Sequence, residues 1–223
     1  MKSDLPKVLH SVGGIPMLGR VLATAEALKV RRIAVIAGRG IGRVREFVGR
    51  RASVVEQRER RGSGHALLRA QKFLRSVRGN VLVLYGDAPL FRPETLRAFV
   101  GDFLQKGADA SFLSAVVEDP SGYGRVVRDS RDRVLRIAED ADASAREKKI
   151  REINAGPCCF KRDALARALA ELGPQGPKRE YYLTDTARLT AARGGWVTAF
   201  PMADAGRRWE SIRGKVWRPP RIL

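Results

Sequence analysis

The sequence predicts an α/β protein built on a doubly wound, mostly parallel sheet. Two observations carry that prediction. Short apolar runs alternate with amphipathic stretches, the pattern of β–α units. The strongest run, Val81-Leu82-Val83-Leu84-Tyr85, is apolar on both faces, as a strand covered by helices on both sides must be. With 223 residues and 44% hydrophobic content, the chain can bury one sizeable core.

The elements follow in order. The stretch 16–28 reads as a helix, with Pro16 in a first turn where its missing N–H costs nothing. Ile33-Ala34-Val35-Ile36-Ala37 is a compact strand, and Val54-Val55 is a short second one. Ala66, Leu67, Ala70, Phe73 and Leu74 fall at helical spacing. The run 81–85 ends at Gly86-Asp87, and a helix over 93–104 follows. Strands are predicted over 110–117, 125–127 and 134–137. A charged stretch, 139–151, leads to an apolar run over 153–160 and a helix over 163–172. After a Gly/Pro loop at 173–177, the stretch 181–192 reads as a helix and 196–200 as a last strand. No repeat or linker stands out, so the pattern reads as one domain.

Composition excludes several classes. No run reaches about 18 apolar residues, so no membrane span is expected, and the amino terminus lacks the apolar stretch of a signal peptide. Cys158 and Cys159 are neighbours, which suits neither a disulfide nor a closed zinc site. The reading is a reduced, cytoplasmic protein. Lys and Arg number 43 against 24 Asp and Glu, a formal net charge of +19. The Arg residues are read as spread through the chain, without interleaved aromatics that would stack bases, so a nucleic-acid partner is disfavoured. Three sources of the charge stay open: an Arg-preferring proteome, a field for a polyanionic small substrate, and nucleic acid.

Three places bear on chemistry. Asp87 follows the strongest strand, where open α/β sheets bind ligands. Its carboxylate could hold Mg²⁺ beside substrate phosphates, or simply cap the next helix. Lys7 could act as a point charge on phosphates, or be an ordinary surface lysine. Gly62-Ser63-Gly64-His65-Ala66 is a glycine-rich helix entry able to present backbone N–H groups to a base or phosphate. His10 and His65 lack an acid–base partner pattern and read as structural.

Seven segments fall in a telling order: Lys2-Ser3-Asp4-Leu5-Pro6-Lys7, Gly62-Ser63-Gly64-His65-Ala66, Leu84-Tyr85-Gly86-Asp87, Gly122-Tyr123-Gly124-Arg125, Ile137-Ala138-Glu139-Asp140, Glu152-Ile153-Asn154-Ala155-Gly156 and Glu180-Tyr181-Tyr182-Leu183-Thr184-Asp185. The series resembles the N-terminal pyrophosphorylase domain of the bacterial bifunctional N-acetylglucosamine-1-phosphate uridyltransferase/glucosamine-1-phosphate acetyltransferases, from Met1 to about Phe200. The resemblance implies a Rossmann-like nucleotidyltransferase fold, with a domain over 1–200 and a divergent basic segment over 201–223. It also implies a reaction in which UTP and N-acetylglucosamine 1-phosphate give UDP-N-acetylglucosamine and pyrophosphate, with Mg²⁺. It implies Lys7 on the phosphates, Gln57, Gly62 and Ser63 at the uracil, Tyr85 and Gly86 at the strand end, and Asp87 on the metal. Gly124, Glu139 and Asn154 match positions that contact the sugar. Three departures stand out. The family's opening apolar strand and glycine-rich loop precede the segment at which this chain starts, so a first strand is expected to be missing. The closing Gly-Val-Asn-x-Arg segment, with a second metal-ligating Asn, is replaced after Gly214. The β-helix acetyltransferase domain is absent, and with it the family's trimer contacts. Weak or absent turnover by this chain is the expectation.

Overall fold

The computed structural model describes residues 4–176 and 179–202. The expectations for 201–223, beyond its first two residues, and for the segment after Gly214 lie outside the described residues.

After a short 3₁₀ turn at Lys7–Leu9, β1 (Ser11–Val12) and β2 (Ile15–Pro16) form a small hairpin through Gly13-Gly14. Helix α1 (Met17–Ala27) starts directly after Pro16, whose fixed φ suits that entry. Next come β3 (Ala34–Ala37), α2 (Ile41–Val48) and β4 (Ser53–Glu56). The helical spacing over 66–74 is realised as α3 (Ser63–Arg69) and α4 (Gln71–Arg75), broken at Ala70. Strand β5 (Asn80–Val83) leads through Gly86-Asp87 to α5 (Pro93–Lys106). The remaining elements are β6 (Ala110–Val116), β7 (Arg125–Arg128), β8 (Val134–Ala138), β9 (Glu152–Lys161), α6 (Arg162–Glu171), α7 (Asp185–Ala192) and β10 (Val197–Pro201).

The α/β class holds, but the sheet is mixed where a mostly parallel one was expected. Its order is β10-β6-β9-β7-β8, with β5 also paired to β9. Among its described pairings β10–β6 alone is parallel; β9 lies antiparallel to β5, β6 and β7, and β8 antiparallel to β7. The ten-residue β9 is long enough to pair with β5 and β6 over its second half and with β6 and β7 over its first. An apolar run buried on both faces satisfies either direction, so composition does not choose between them.

The helix expected from residue 181 begins four residues later. The backbone of 181–183 is instead committed to the glycine-rich turn: Gly64 N–H donates to Tyr181 O at 2.7 Å, and Tyr181 N–H to Arg61 O at 2.7 Å. Backbone groups that bond a neighbouring turn cannot also serve a helix.

Strands β3 and β4 pair in parallel as a separate two-stranded sheet. The amino ends of β3 and β5 lie together, because Arg32 donates to the Ser76 carbonyl and hydroxyl at 3.0 and 2.8 Å and its guanidinium covers the Phe73 ring. Yet β3 and β5 do not pair, and a cavity of about 1310 Å³ separates them. Apolar side chains line both of its faces, Leu18, Leu22 and Val44 among one group and Leu67, Phe73 and Leu74 among another. Among the described residues no strand fills this slot. Two cores sandwich the intact sheet, one under α3, α4, α6 and α7 and one under α5; a third and smaller core holds α1 and α2 to β3 and β4.

Candidate functional site

The residues singled out by sequence gather along the carboxyl ends of β4 and β5 and at the near ends of β7, β8 and β9. Asp87 does not cap the next helix, since α5 has Arg92 at its N-cap. Its Oδ2 accepts from Lys7 Nζ at 2.7 Å, across 80 residues of chain. The lysine is 56% exposed and the carboxylate 15%. A pair this open adds little to stability. It does hold a carboxylate and an ammonium group side by side. Gly86 lies beneath Val8 and Leu18, so the amino-terminal segment is packed directly on the strand end.

On one flank, Gln57 follows β4 and its Nε2 donates to Gly62 O at 3.1 Å. Gly62 has φ +102, and a Cβ there would lie 2.6 Å from Tyr181 O, so only glycine fits this turn. Ser63 Oγ accepts from Leu183 N–H at 3.1 Å and bonds the Tyr85 hydroxyl. Burial pushes the Tyr85 phenol far above its usual range, with Cys158 and Glu139 adding to the effect. Tyr85 is therefore a neutral packing and hydrogen-bonding group.

On the other flank, Gly124, Glu139 and Asn154 converge. Asn154 N–H donates to Gly124 O at 2.7 Å, and Asn154 Oδ1 accepts from Gly156 N–H. A Cβ on Gly124 would meet Ile137 at 2.8 Å and stand 3.5 Å from Glu139 Oε2. Thr184 Oγ1 donates to Glu139 Oε1 at 2.5 Å. Arg125, 2% exposed, pairs with Asp140 at 2.8 Å and bonds the Tyr123 carbonyl, pinning the β7–β8 pair at this end. Thr184 and Arg125 were not singled out as site residues, although both lie within the quoted motifs.

Burial raises the Glu139 carboxyl; Thr184 opposes this, Asp142 and Asp140 add to it, and Arg125 opposes it. A raised folded-state value means stability that is complete below the unfolded value and is lost as pH rises through the folded one. Glu139→Gln is expected to remove that loss. Thermal melts from about pH 4 to 8 should superimpose at the acid end and favour the variant at the alkaline end. Parallel curves would contradict the assignment.

Burial also raises both cysteine thiols, Cys159 to about 12, so neither is a thiolate nucleophile near neutral pH. The basic charge is less evenly spread than the sequence reading held. Residues 29–78 carry fifteen Lys and Arg against three Glu, with all fifteen exposed. Lys7, Arg39 and Arg60 stand at the slot's mouth beside the site. Such a field favours a polyanion such as a triphosphate.

Mg²⁺ takes one or two protein carboxylates and completes its shell with water and substrate phosphates. Asp87 fits that need as a lone reachable carboxylate beside Lys7. The described residues hold no group of three or more His, Cys, Asp or Glu that would bind a metal on their own. A metal here would be shared with substrate.

The mixed sheet, with its polar and glycine-rich residues gathered at the strand ends, defines a nucleotidyltransferase. The chain belongs to the MobA-like NTP transferase family, whose domain matches residues 1–187. It is 45% identical over 202 residues to the bifunctional protein GlmU of Pelotomaculum thermopropionicum, covering 91% of this chain and 44% of that protein. It is 41% identical over 204 residues to GlmU of Enterococcus faecalis, covering 92% and 44%. The chain thus spans less than half the length of the curated relatives it matches. In fold it resembles UDP-glucose pyrophosphorylase complexed with UDP-glucose, with TM-score 0.71 and 17% identity over 88% of this chain and 83% of that one. The apo form of a UDP-glucose pyrophosphorylase gives TM-score 0.70 at 15% identity, with the same coverage. No described helix is long and apolar enough to cross a membrane.

Proposed function

We propose that the domain over 1–200 transfers a uridylyl group from UTP to N-acetylglucosamine 1-phosphate, in the cytoplasm, giving UDP-N-acetylglucosamine and pyrophosphate. The observation that carries this reading is the Lys7–Asp87 pair at the end of β5, flanked by Gln57 and Gly62-Ser63 on one side and by Gly124, Glu139 and Asn154 on the other. A phosphate oxygen of the sugar phosphate attacks the α-phosphorus of UTP and pyrophosphate leaves. The substrate is the nucleophile, so the protein's work is positioning and charge stabilisation.

Each residue has a part in that work. Lys7 leaves Asp87 to contact the phosphates, offsetting charge that builds during displacement. Asp87 would hold Mg²⁺, which when bound neutralises phosphate charge. Gln57 and the Gly62-Ser63 turn read the base. Gly86 lets the substrate approach the strand end, and Tyr85 braces Ser63. Gly124 leaves room for the sugar, while Glu139 and Asn154 hydrogen-bond its hydroxyl and acetamido groups.

Asn154→Ala tests the sugar assignment. By calorimetry the parent is expected to prefer UDP-N-acetylglucosamine to UDP-glucose. In the variant that preference should fall about tenfold, on the scale of one lost hydrogen bond. An unchanged preference would remove Asn154 from the pocket.

The open slot favours a second reading of the chain as it stands, a domain that binds nucleotide sugars with little turnover. The slot opens beside Lys7 and Gly86.

A further inference from the structure

Two bonds fix which end of the Gln57 amide remains for a ligand. The Gly62 carbonyl can only accept, so the amide atom 3.1 Å from it is Nε2. The second Nε2 hydrogen is directed to His65 Nδ1, 3.0 Å away. That nitrogen must then accept, which places the imidazole proton on Nε2. Both amide hydrogens are thus used within the protein, and Oε1 has no hydrogen-bond partner among the described residues. The His65 ring is braced by the Tyr181 ring, centroids 5.9 Å apart and tilted by 49°. Tyr181 is itself tied to the glycine-rich turn through Arg61 and Gly64.

We infer that His65 is a positioning residue that sets base selectivity, by holding the Gln57 amide with its oxygen toward the ligand. The inference rests on Gln57 reading the base. A carbonyl oxygen there accepts from a pyrimidine bearing N–H at N3, which describes uracil and thymine. It repels cytosine, whose N3 carries a lone pair. Specificity then comes as much from the repulsion as from the bond. The Gly62 carbonyl alone biases the amide only in part, because one of its two anchors is gone once His65 cannot accept. Freed of that anchor, the amide can turn and offer N–H to cytosine. His65 touches no ligand in this account.

The test titrates UTP, dTTP and CTP, each with Mg²⁺, into the full chain by calorimetry. The parent is expected to bind UTP over CTP, and the dTTP arm checks that a second pyrimidine with N–H at N3 is still accepted. His65→Phe keeps an aromatic ring to face Tyr181 but has no acceptor. Its UTP-to-CTP affinity ratio should fall about tenfold, the scale of one hydrogen bond. His65→Asn offers Oδ1 near the place of Nδ1 and should restore the ratio, which a merely structural role for the ring would not produce. If H65F does not fold, His65→Ala carries the same expectation. A parent-like ratio in H65F or H65A, with UTP still bound, overturns the inference and leaves the uridylyl reading intact. A parent that does not distinguish UTP from CTP, or binds neither, overturns the base-reading role of Gln57 and this inference together.

Discussion

A chain extended at its amino end by one apolar strand and a short glycine-rich turn will melt about 10 °C higher than the present chain and turn over at least about 100-fold faster. The slot between β3 and β5 is the reason. Its two strand edges face one cavity without pairing, and both faces of that cavity are apolar. A parallel strand of five or so residues would bury several side chains, each contributing roughly 1.5–3 kcal/mol. Ordering its backbone costs about 1–2 kcal/mol per residue. The net gain is a few kcal/mol, and each is worth about 2–4 °C in a domain of this size. Such a strand would end at the mouth beside Lys7, where the turn after it meets the phosphates. Donors placed there are worth about 100-fold each. Calorimetry and pyrophosphate release from UTP and N-acetylglucosamine 1-phosphate check the two parts separately. Unchanged melting would mean that the slot is not a strand site. Unchanged turnover would mean that Lys7 and Asp87 suffice. The exposed edges also predict that the present chain self-associates and the extended one does not.

The second large effect belongs to Asp87. Asp87→Asn in the extended chain should cut turnover about 100-fold or more, and in either chain should abolish the gain in UDP-N-acetylglucosamine affinity that Mg²⁺ confers. Stability should move little, because the Lys7 ammonium is more than half exposed and can be solvated once its partner is gone, and pairs with an open partner are worth about 0–1 kcal/mol. That contrast separates a functional carboxylate from a structural one. Retained Mg²⁺ dependence would remove Asp87 from the metal site.

The strand ending at Gly86-Asp87 was legible because a run apolar on both faces, closed by glycine and a carboxylate, has few other structural meanings. The helix α2 was not read from the sequence, since Gly40 and Gly42 at its start weaken the helical signal and only Val44 and Val48 are buried. The direction of β9 was illegible for a different reason: apolar content reports burial and says nothing of pairing partner. Residues 181–183 looked helical by spacing, yet the Tyr181 backbone and the Leu183 N–H serve the turn at 61–64, a contact more than a hundred residues away in sequence. His65 read as structural because its partner is an amide eight residues earlier, across a turn whose shape depends on Gly62. The Thr184 bond to Glu139 was hidden for the same reason, as neither residue type nor spacing links β8 to the segment before α7.

In the proposed reaction this cleft joins uridine and N-acetylglucosamine through their phosphates. Phosphorus NMR of the extended chain, given UTP, Mg²⁺ and either N-acetylglucosamine 1-phosphate or glucose 1-phosphate, tests it most directly. The predicted result is UDP-N-acetylglucosamine and an equal amount of pyrophosphate, at a rate well above that with glucose 1-phosphate or with CTP in place of UTP. Equal rates with both sugars and both nucleotides, or no nucleotide sugar from a chain that folds and binds UTP, would contradict it.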